Sequence, residues 1–317
     1  MSAYRRSLPQ LDAALFLTDG GIETTMIFDE GFDLPHFAAF PLLDFAEGRA
    51  ALHRYFDSYV EIAVRDEVGI VLETPTWRAS SDWGALLGYD HAALEAINRD
   101  AVALTLEQRR QHERPSTPVV ISGCIGPRAD GYRVTDSMSA NEARSYHGAQ
   151  VNAFADTDAD LVSALTLNYV QEAVGIAQAA RAAGMPVVLS FTVETDGRLA
   201  TGAPLGEAID AVDHQTDGYP AYYMVNCAHP THFSQVIDGA SGWASRIHGV
   251  RANSSTRSHA ELDEAEHLDR GSATDLAARY LQLRDILPNL CVVGGCCGTD
   301  HRHVDAISTA LSAASAP

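Results

Sequence analysis

The chain has 317 residues, of which 46% are hydrophobic and 20% are charged, and this composition is typical of a globular protein rather than a disordered one. Its 42 acidic side chains outnumber the 22 basic ones, and the resulting formal charge of −20 argues against nucleic acid and anionic membrane surfaces as partners. No apolar run approaches the roughly 20 residues that span a bilayer, and no signal peptide is evident, so we expect a cytoplasmic protein.

Eight apolar runs, each followed by a turn signal, predict eight β-strands. The runs are rich in Val, Ile and Leu throughout, as expected of strands that are covered on both faces. The predicted strands end near residues 19, 73, 124, 166, 193, 227, 252 and 296. Amphipathic stretches between the strands predict helices at residues 49–65, 90–112, 140–157, 170–183 and 274–286. Ser139 and Glu142 have the spacing of a capping box, and Gly184 followed by Pro186 is typical of a helix stop.

Strands that alternate with helices indicate βαβ units and a parallel sheet. Eight such units predict a single (β/α)8 barrel of the TIM type that spans residues 1–317. The alternative is an open doubly wound sheet, which is disfavoured because no Gly-rich dinucleotide fingerprint follows the first strand. The acidic segment 252–269 is interpreted as a long loop that contains a short helix.

Polar and thiol side chains occur at the predicted C-terminal ends of all eight strands. They are Asp19, Glu73, Cys124, Thr166, Thr192, Glu194, Asn226, Cys227, Asn253, Cys296 and Cys297. The active site of a (β/α)8 barrel lies at this end of the strands. We therefore expect these side chains to converge at one mouth.

The five cysteines are odd in number and include an adjacent pair, a pattern that favours metal binding or catalysis over a disulfide framework. Two glycines before Cys296 and Cys297 allow a tight turn, and alternate strands can direct these two thiols and Cys227 to one point. Zinc binds thiolates at ~2.3 Å and prefers four ligands, so three cysteines leave one position open, as in catalytic zinc sites. Cys291 is interpreted as a core residue and Cys124 as a non-ligand.

The chain resembles the homocysteine S-methyltransferase family in six segments that occur in the family's order and spacing. They are TDGGIETT, ETPTWRAS, SGCIGP, SFTVETDGRLATG, VNCAHP and GGCCGTDHRHV. The resemblance extends from residue 15 to residue 307. It implies a zinc-bearing (β/α)8 barrel that moves a methyl group from a sulfonium, quaternary ammonium or folate donor onto a zinc-bound thiol. The implied thiol is homocysteine, which would give methionine, or a related compound.

The resemblance also implies roles for individual residues. Cys227, Cys296 and Cys297 match the family's Zn²⁺ ligands, and Asp19 matches a residue that contacts the amino-acid acceptor. Asp19 and Asn226 are the expected catalytic residues. The expected substrate-binding residues are Asp19, Gly20, Glu73, Thr166 and Glu194.

Leu165 departs from the family pattern, because the family usually has a glutamate there that holds the amino group of homocysteine. Leucine cannot bind an ammonium ion, and burying an ammonium without a partner costs several kcal/mol. Either Asp19, Glu73 or Glu194 supplies the missing carboxylate, or the acceptor is not homocysteine. We expect weak activity with homocysteine unless one of these carboxylates reaches its amino group.

Two other classes of function compete with this prediction. One is a different zinc barrel enzyme, such as a lyase or hydrolase, which would normally use histidine and carboxylate ligands. The other is a non-catalytic protein whose cysteines form a redox switch or a structural zinc site, and a structural site would need a fourth protein ligand. The oligomeric state is left open, with a homodimer as one option.

Aromatic and histidine side chains near the motifs have less specific interpretations. Trp77, Tyr132 and Tyr169 lie on predicted mouth loops, where they would suit a cationic donor, although such side chains more commonly serve packing. His229, His301 and His303 flank the cysteine motifs, and the last two are expected to begin the final helix.

Overall fold

The computed structural model describes residues 2–12, 14–265 and 267–315. Its strands pair in parallel in chain order, and β8 closes onto β1 to complete a barrel. The strands are β1 Phe16–Leu17, β2 Gly69–Glu73, β3 Val119–Ile125, β4 Leu161–Leu167, β5 Val187–Phe191, β6 Tyr222–Asn226, β7 Ile247–Ala252 and β8 Val292–Gly295. The predicted (β/α)8 barrel is confirmed, and the open doubly wound sheet is excluded.

Helices cover the outside of the barrel and lie in the connections between strands. They are α1 Ile22–Phe28, α2 Ala46–Asp66, α3 Ser81–Leu86, α4 His91–His112, α5 Ala140–Ala155, α6 Val170–Ala182, α7 Leu205–Thr216, α8 Pro230–Phe233, α9 His259–Asp263, α10 Ala273–Ile286 and α11 His301–Ser315. The five helices expected from the sequence are present with small shifts of their ends. The capping box of Ser139 and Glu142 opens α5, and α9 is the short helix expected in the long acidic loop.

The strands are buried because both of their faces are covered. One face packs against the helices, and alternate residues on the other face fill the barrel with side chains such as Val71, Val120 and Val188. This alternation follows from the period of two along a strand. It also means that a polar residue two positions beyond an inward valine, such as Glu73, points into the same interior.

The N-terminal arm closes the end of the barrel opposite the C-terminal ends of the strands. Tyr4 and Leu8 pack against the interior cluster, and the Tyr4 amide donates a 2.8 Å hydrogen bond to Asp160, just before β4. Cys291, just before β8, donates from its Sγ to the Gln10 carbonyl. A ligand can therefore reach the polar side chains inside the barrel only from the other end, where the strands have their C-terminal ends. Within the described part of the chain, no helix is both long and apolar enough to cross a membrane.

Candidate active site

A cavity of about 420 Å³ opens at the C-terminal ends of the strands. Most of the residues that the sequence analysis placed at the mouth line this cavity. They are Asp19, Gly20, Glu73, Cys124, Thr166, Asn226, Cys227, Asn253, Cys296 and Cys297. Thr192 and Glu194 are not among the lining residues. Glu194 lies in a turn beyond β5, where its carboxylate is 3.5 Å from Nδ1 of His259.

Three thiols meet at one side of this cavity. Cys227 directly follows β6, whereas Cys296 and Cys297 directly follow β8, and the three Sγ atoms all lie within 4.8 Å of one another. Cys227 and Cys296 are joined as a disulfide, with their Cα atoms 5.4 Å apart, and Sγ of Cys297 is 4.0 Å from that of Cys227. A disulfide and a metal ion are therefore alternative states of the same two sulfurs, since only the reduced thiolates can bind a metal.

The cluster of three cysteine sulfurs fits a tetrahedral metal ion. Sulfur ligands at ~2.3 Å from zinc lie about 3.8 Å from each other, which is close to the 4.0 Å between the Sγ atoms of Cys227 and Cys297. The bonded sulfurs of Cys227 and Cys296 would have to be reduced and separate to reach this spacing. No histidine or carboxylate of the described residues joins the group. Three protein ligands would leave a fourth position of a bound ion open, and all three cysteines line the cavity, so the arrangement argues against a closed structural site and against a histidine–carboxylate centre.

The surroundings of the thiols control their charge. Burial and, to a smaller extent, the nearby carboxylate of Glu23 raise the pKa of Cys297 to about 12. A cation is therefore required to hold this residue as a thiolate at neutral pH. The amide Nδ2 of Asn226 lies 3.9 Å from Sγ of Cys296, which places a hydrogen-bond donor beside a second sulfur.

Asn226 also fixes the backbone at the mouth. Its Oδ1 accepts 2.8 Å from the Thr166 amide, and its Nδ2 donates 2.9 Å to the Thr166 hydroxyl. Thr166 and Cys227 have left-handed φ values of 64° and 53°, which are unusual for residues with a side chain, and for a β-branched one above all. Such strain persists only where neighbouring contacts hold it. The amide of Asn226 thus links the end of β4 to the turn after β6 that carries Cys227.

A charged cluster lies at the floor of the cavity, centred on Arg251 of β7, the strand between the two that carry the cysteines. Nη2 of Arg251 donates 2.5 Å to Oδ1 of Asp19, and the Tyr55 hydroxyl donates 2.9 Å to Oδ2. Nη1 of Arg251 lies 4.0 Å from Oε1 of Glu73. All four side chains are buried. Burial raises the pKa of Asp19 and of Glu73 despite the opposing charge of Arg251.

Arg251 was missed in the sequence because it lies inside the run that predicted β7. Burial lowers its pKa, but the charges of Asp19 and Glu73 outweigh this effect and the net shift is upward. Its Nε donates to the Gly295 carbonyl at 3.1 Å, beside the cysteine pair. The alternation of side chains along a strand could have revealed its direction. Arg251 follows Gly249 by two positions and therefore lies on the same, inward face of β7.

Leu165 is buried and lines the cavity near the end of β4. The structure therefore places an apolar surface where the resemblance implied a carboxylate. Of the three candidate replacements, Asp19 and Glu73 line the same cavity and Glu194 does not. Oε2 of Glu73 has no hydrogen-bond partner among the described residues, so this carboxylate retains an acceptor for a ligand.

Two of the three aromatic side chains expected on the mouth loops lie at the cavity. Trp77 and Tyr132 line the cavity, but Tyr169 does not, and its hydroxyl accepts from the Met138 amide at 3.1 Å. Cys124 lines the cavity but is not part of the cluster of three cysteine sulfurs. The position of Cys291 at the closed end of the barrel agrees with its interpretation as a core residue.

The histidines of the cysteine motifs have structural partners. The ring of His229 accepts from the Thr231 amide at the start of α8, and burial lowers its pKa to about 4. His303 lies in the first turn of α11, where its Nδ1 contacts Asp300 at 3.0 Å. The expectation that His301 begins the final helix is confirmed.

Fold and site together define a TIM-barrel enzyme with three thiols grouped at its catalytic mouth. The sequence matches the family model described as homocysteine S-methyltransferase over residues 16–311. The homocysteine S-methyltransferase of Escherichia coli (strain K12) is 25% identical over 253 residues, which cover 74% of this chain and 77% of that relative. The chain belongs to the homocysteine S-methyltransferase family, as its motifs indicated, and it is an S-methyltransferase.

Solved structures of the E. coli homocysteine methyltransferase MmuM have the same fold. The oxidized form matches with a TM-score of 0.77 at 20% identity, covering 97% of this chain and 99% of that one. The metallated form matches with a TM-score of 0.75 at 19% identity, covering 96% and 98%. Family membership disfavours the non-catalytic alternative, and the three cysteines form a group that could hold a metal ion.

Proposed function

We propose that this S-methyltransferase holds zinc with Cys227, Cys296 and Cys297 and methylates the thiol of an amino acid, either homocysteine or a close relative. The observation that supports it most directly is the group of three cysteine sulfurs within 4.8 Å of one another, which comes from two strand ends and lines a cavity. The described residues add no fourth ligand to this group. Bound zinc would supply a Lewis-acid position that lowers the pKa of a substrate thiol.

The protein's own residues would prepare the acceptor for in-line attack on the methyl carbon. Three thiolates around a divalent ion leave a formal charge of about −1 on the centre, so the acceptor sulfur keeps its nucleophilicity. Asn226 would position Cys296 and the end of β4 through the contacts described above. Orientation of this kind supplies much of the rate in a bimolecular transfer.

The charged cluster would hold the amino-acid part of the acceptor. When both are ionised, Asp19 and Glu73 carry two negative charges against the single positive charge of Arg251, which leaves a net charge that attracts an ammonium group. Oε2 of Glu73 and Nη1 of Arg251 both lack a hydrogen-bond partner among the described residues. Glu73 is thus the best-placed replacement for the carboxylate missing at Leu165, and homocysteine remains a suitable acceptor. Gly20 and Thr166 would contribute contacts at the same floor, and Glu194 stays a weaker prediction.

The same negative charge favours a cationic methyl donor over an anionic folate. A sulfonium or quaternary ammonium donor leaves as a neutral molecule after methyl transfer, so it needs no acid to protonate the leaving group. Tyr132 lines the cavity and would contribute to an aromatic wall for such a cation. We therefore rank sulfonium and quaternary ammonium donors first and folate last.

Metal content and a substrate screen test this proposal. Reduced protein should hold about one zinc per chain, the number expected for one three-thiolate site, and Cys296→Ala should lose both zinc and activity. Cys291→Ala, a matched change at the closed end of the barrel, should keep its zinc. Full zinc occupancy in the Cys296 variant would disprove the ligand set.

The screen combines homocysteine and simpler thiols with a methylsulfonium amino acid, glycine betaine and a methylated folate. Thioether product should form with homocysteine and at least one of the cationic donors. Zinc-loaded wild type that methylates no thiol with any of these donors would overturn the proposed function. Turnover with the folate alone would overturn the ranking of the donors.

A further inference from the structure

Arg78 is a buried cation in the cavity wall, on the loop that follows β2. It is 7% exposed and lines the cavity. Its guanidinium carbon lies over the indole ring of Trp77 at 3.9 Å and over that of Trp83 at 3.8 Å. The guanidinium group is therefore held between two indole rings, and only its edges can make hydrogen bonds.

One edge of this guanidinium group has no partner. Nη1 donates 3.0 Å to the Ala129 carbonyl, but Nε is buried and has no hydrogen-bond partner among the described residues. Nη2 likewise has neither a hydrogen bond nor an ion pair within the described part of the chain. Nε and Nη2 form the edge with which arginine binds a carboxylate through two parallel hydrogen bonds.

Among the described residues, the charge of Arg78 also has no direct counter-ion. Burial lowers its pKa to about 10, and the charges of Asp130 and Glu23 oppose this effect without forming an ion pair with it. The group thus remains a cation at neutral pH. Arg251, the other arginine of the cavity, is by contrast paired with Asp19 at 2.5 Å. Buried charges are normally paired, so Arg78 has the features of a binding residue whose partner is a ligand.

We propose that Arg78 binds the carboxylate of a substrate through its Nε–Nη2 edge, in the slot between Trp77 and Trp83. This inference rests on the proposed function, because it takes thiol methyl transfer as the reaction in the cavity. A carboxylate is planar and can lie in the plane of the guanidinium group between the two rings. A tetrahedral phosphate would project an oxygen out of that plane towards an indole ring. The carboxylate can belong to the thiol acceptor or to the methyl donor.

Tryptophan fluorescence reports on this subsite without any turnover. The chain has three tryptophans, and two of them contact Arg78, whereas Trp243 packs beside Gly206 at the start of α7. Reduced, zinc-loaded protein is titrated with two pairs of ligands. Homocysteine and 3-aminopropanethiol test the acceptor, and S-methylmethionine and (3-aminopropyl)dimethylsulfonium test the donor. The members of each pair differ only in the carboxylate.

Wild type should bind the carboxylate member of one pair about tenfold tighter or more, the discrimination expected of a charge-assisted hydrogen-bonded contact. The pair that discriminates identifies the substrate that Arg78 binds. Arg78→Gln should reduce this ratio towards one, and Arg78→Lys should give an intermediate ratio because it keeps the charge but loses the two-donor edge. Arg128→Gln, the same change outside the cavity lining, should leave the ratio unchanged.

Unchanged binding of the decarboxylated ligands would show that the cavity of Arg78→Gln remains folded. Thermal unfolding of each variant provides a second check, and Arg78→Lys carries the test if the glutamine variant does not fold. The inference is overturned if neither pair discriminates in wild type, or if the discrimination survives in the folded Arg78 variants. A failure of the proposed function is distinct, because it appears as a lack of methyl transfer by wild type whatever the binding ratios.

Discussion

Replacement of Arg251 by methionine tests whether the charged cluster is organised around this one cation. The change removes the hydrogen bond to Asp19 at 2.5 Å and the positive charge 4.0 Å from Glu73. Two buried carboxylates are left without a cation, and loss of one partner of a buried ion pair typically costs about 3–5 kcal/mol. We expect the free energy of unfolding, measured with urea at pH 7.5, to fall by about this amount.

The destabilisation should depend on pH, with a sign fixed by the two carboxylates. Burial already raises the pKa of Asp19 and Glu73 in the wild type, and loss of the Arg251 charge raises both further. A group whose pKa is raised by folding binds its proton more tightly in the native state, so stability increases as the pH falls through the folded pKa. The penalty of Arg251→Met should therefore be smaller at pH 5.5 than at pH 7.5.

A matched variant separates this effect from the loss of any arginine. Arg54→Met breaks an exposed pair with Glu30, and an exposed pair contributes less than about 1 kcal/mol, so this variant should lose little stability at either pH. The reasoning is refuted if the Arg251 variant loses no more stability than the Arg54 variant. It is also refuted if its penalty is the same at both pH values.

Two further predictions concern the acceptor. Asp19→Asn should lower kcat/KM for the acceptor while zinc stays bound, because the change weakens the negative floor without touching a thiol; unchanged kinetics would remove Asp19 from the site. Leu165→Glu should raise kcat/KM for homocysteine less than about threefold relative to 3-mercaptopropionate, because Glu73 already offers a carboxylate. A gain of tenfold or more would show that Glu73 does not compensate for Leu165.

The fold could be predicted from the sequence because its signals are local. Eight buried strands produce continuous apolar runs. The cap of α5 and the stop after α6 each depend on residues that are close together in the sequence. The cluster of three cysteines could also be predicted from the sequence. Cys227, Cys296 and Cys297 directly follow strand ends, and the C-terminal ends of the strands of a barrel share one mouth.

The two arginines of the cavity were harder to predict for physical reasons. Arg251 stands within a strand, so its direction depends on the register of β7 rather than on its position at an end. Arg78 lies in a loop whose conformation is fixed by contacts with Trp83 and Ala129, which no local pattern reveals. Glu194 was expected at the mouth, but β5 ends at Phe191, and the Glu194 amide bonds back to the Arg198 carbonyl at 2.8 Å. The resulting turn carries it away from the cavity.

The attachment of Arg251 to backbone carbonyls has a consequence for how this enzyme can change. Its Nε and Nη2 bond to the carbonyls of Gly295 and Gly20, and β7 lies between the two strands that carry the thiols. If the proposed zinc and acceptor sites are correct, substitutions on this wall will disturb zinc affinity together with acceptor affinity, so few will be tolerated one at a time. Arg78 follows β2, across the barrel from β6 and apart from the cysteine turns. Altered substrate preference, in evolution or in the laboratory, should therefore arise first on the β2 side, where recognition can vary while the three cysteines stay in place.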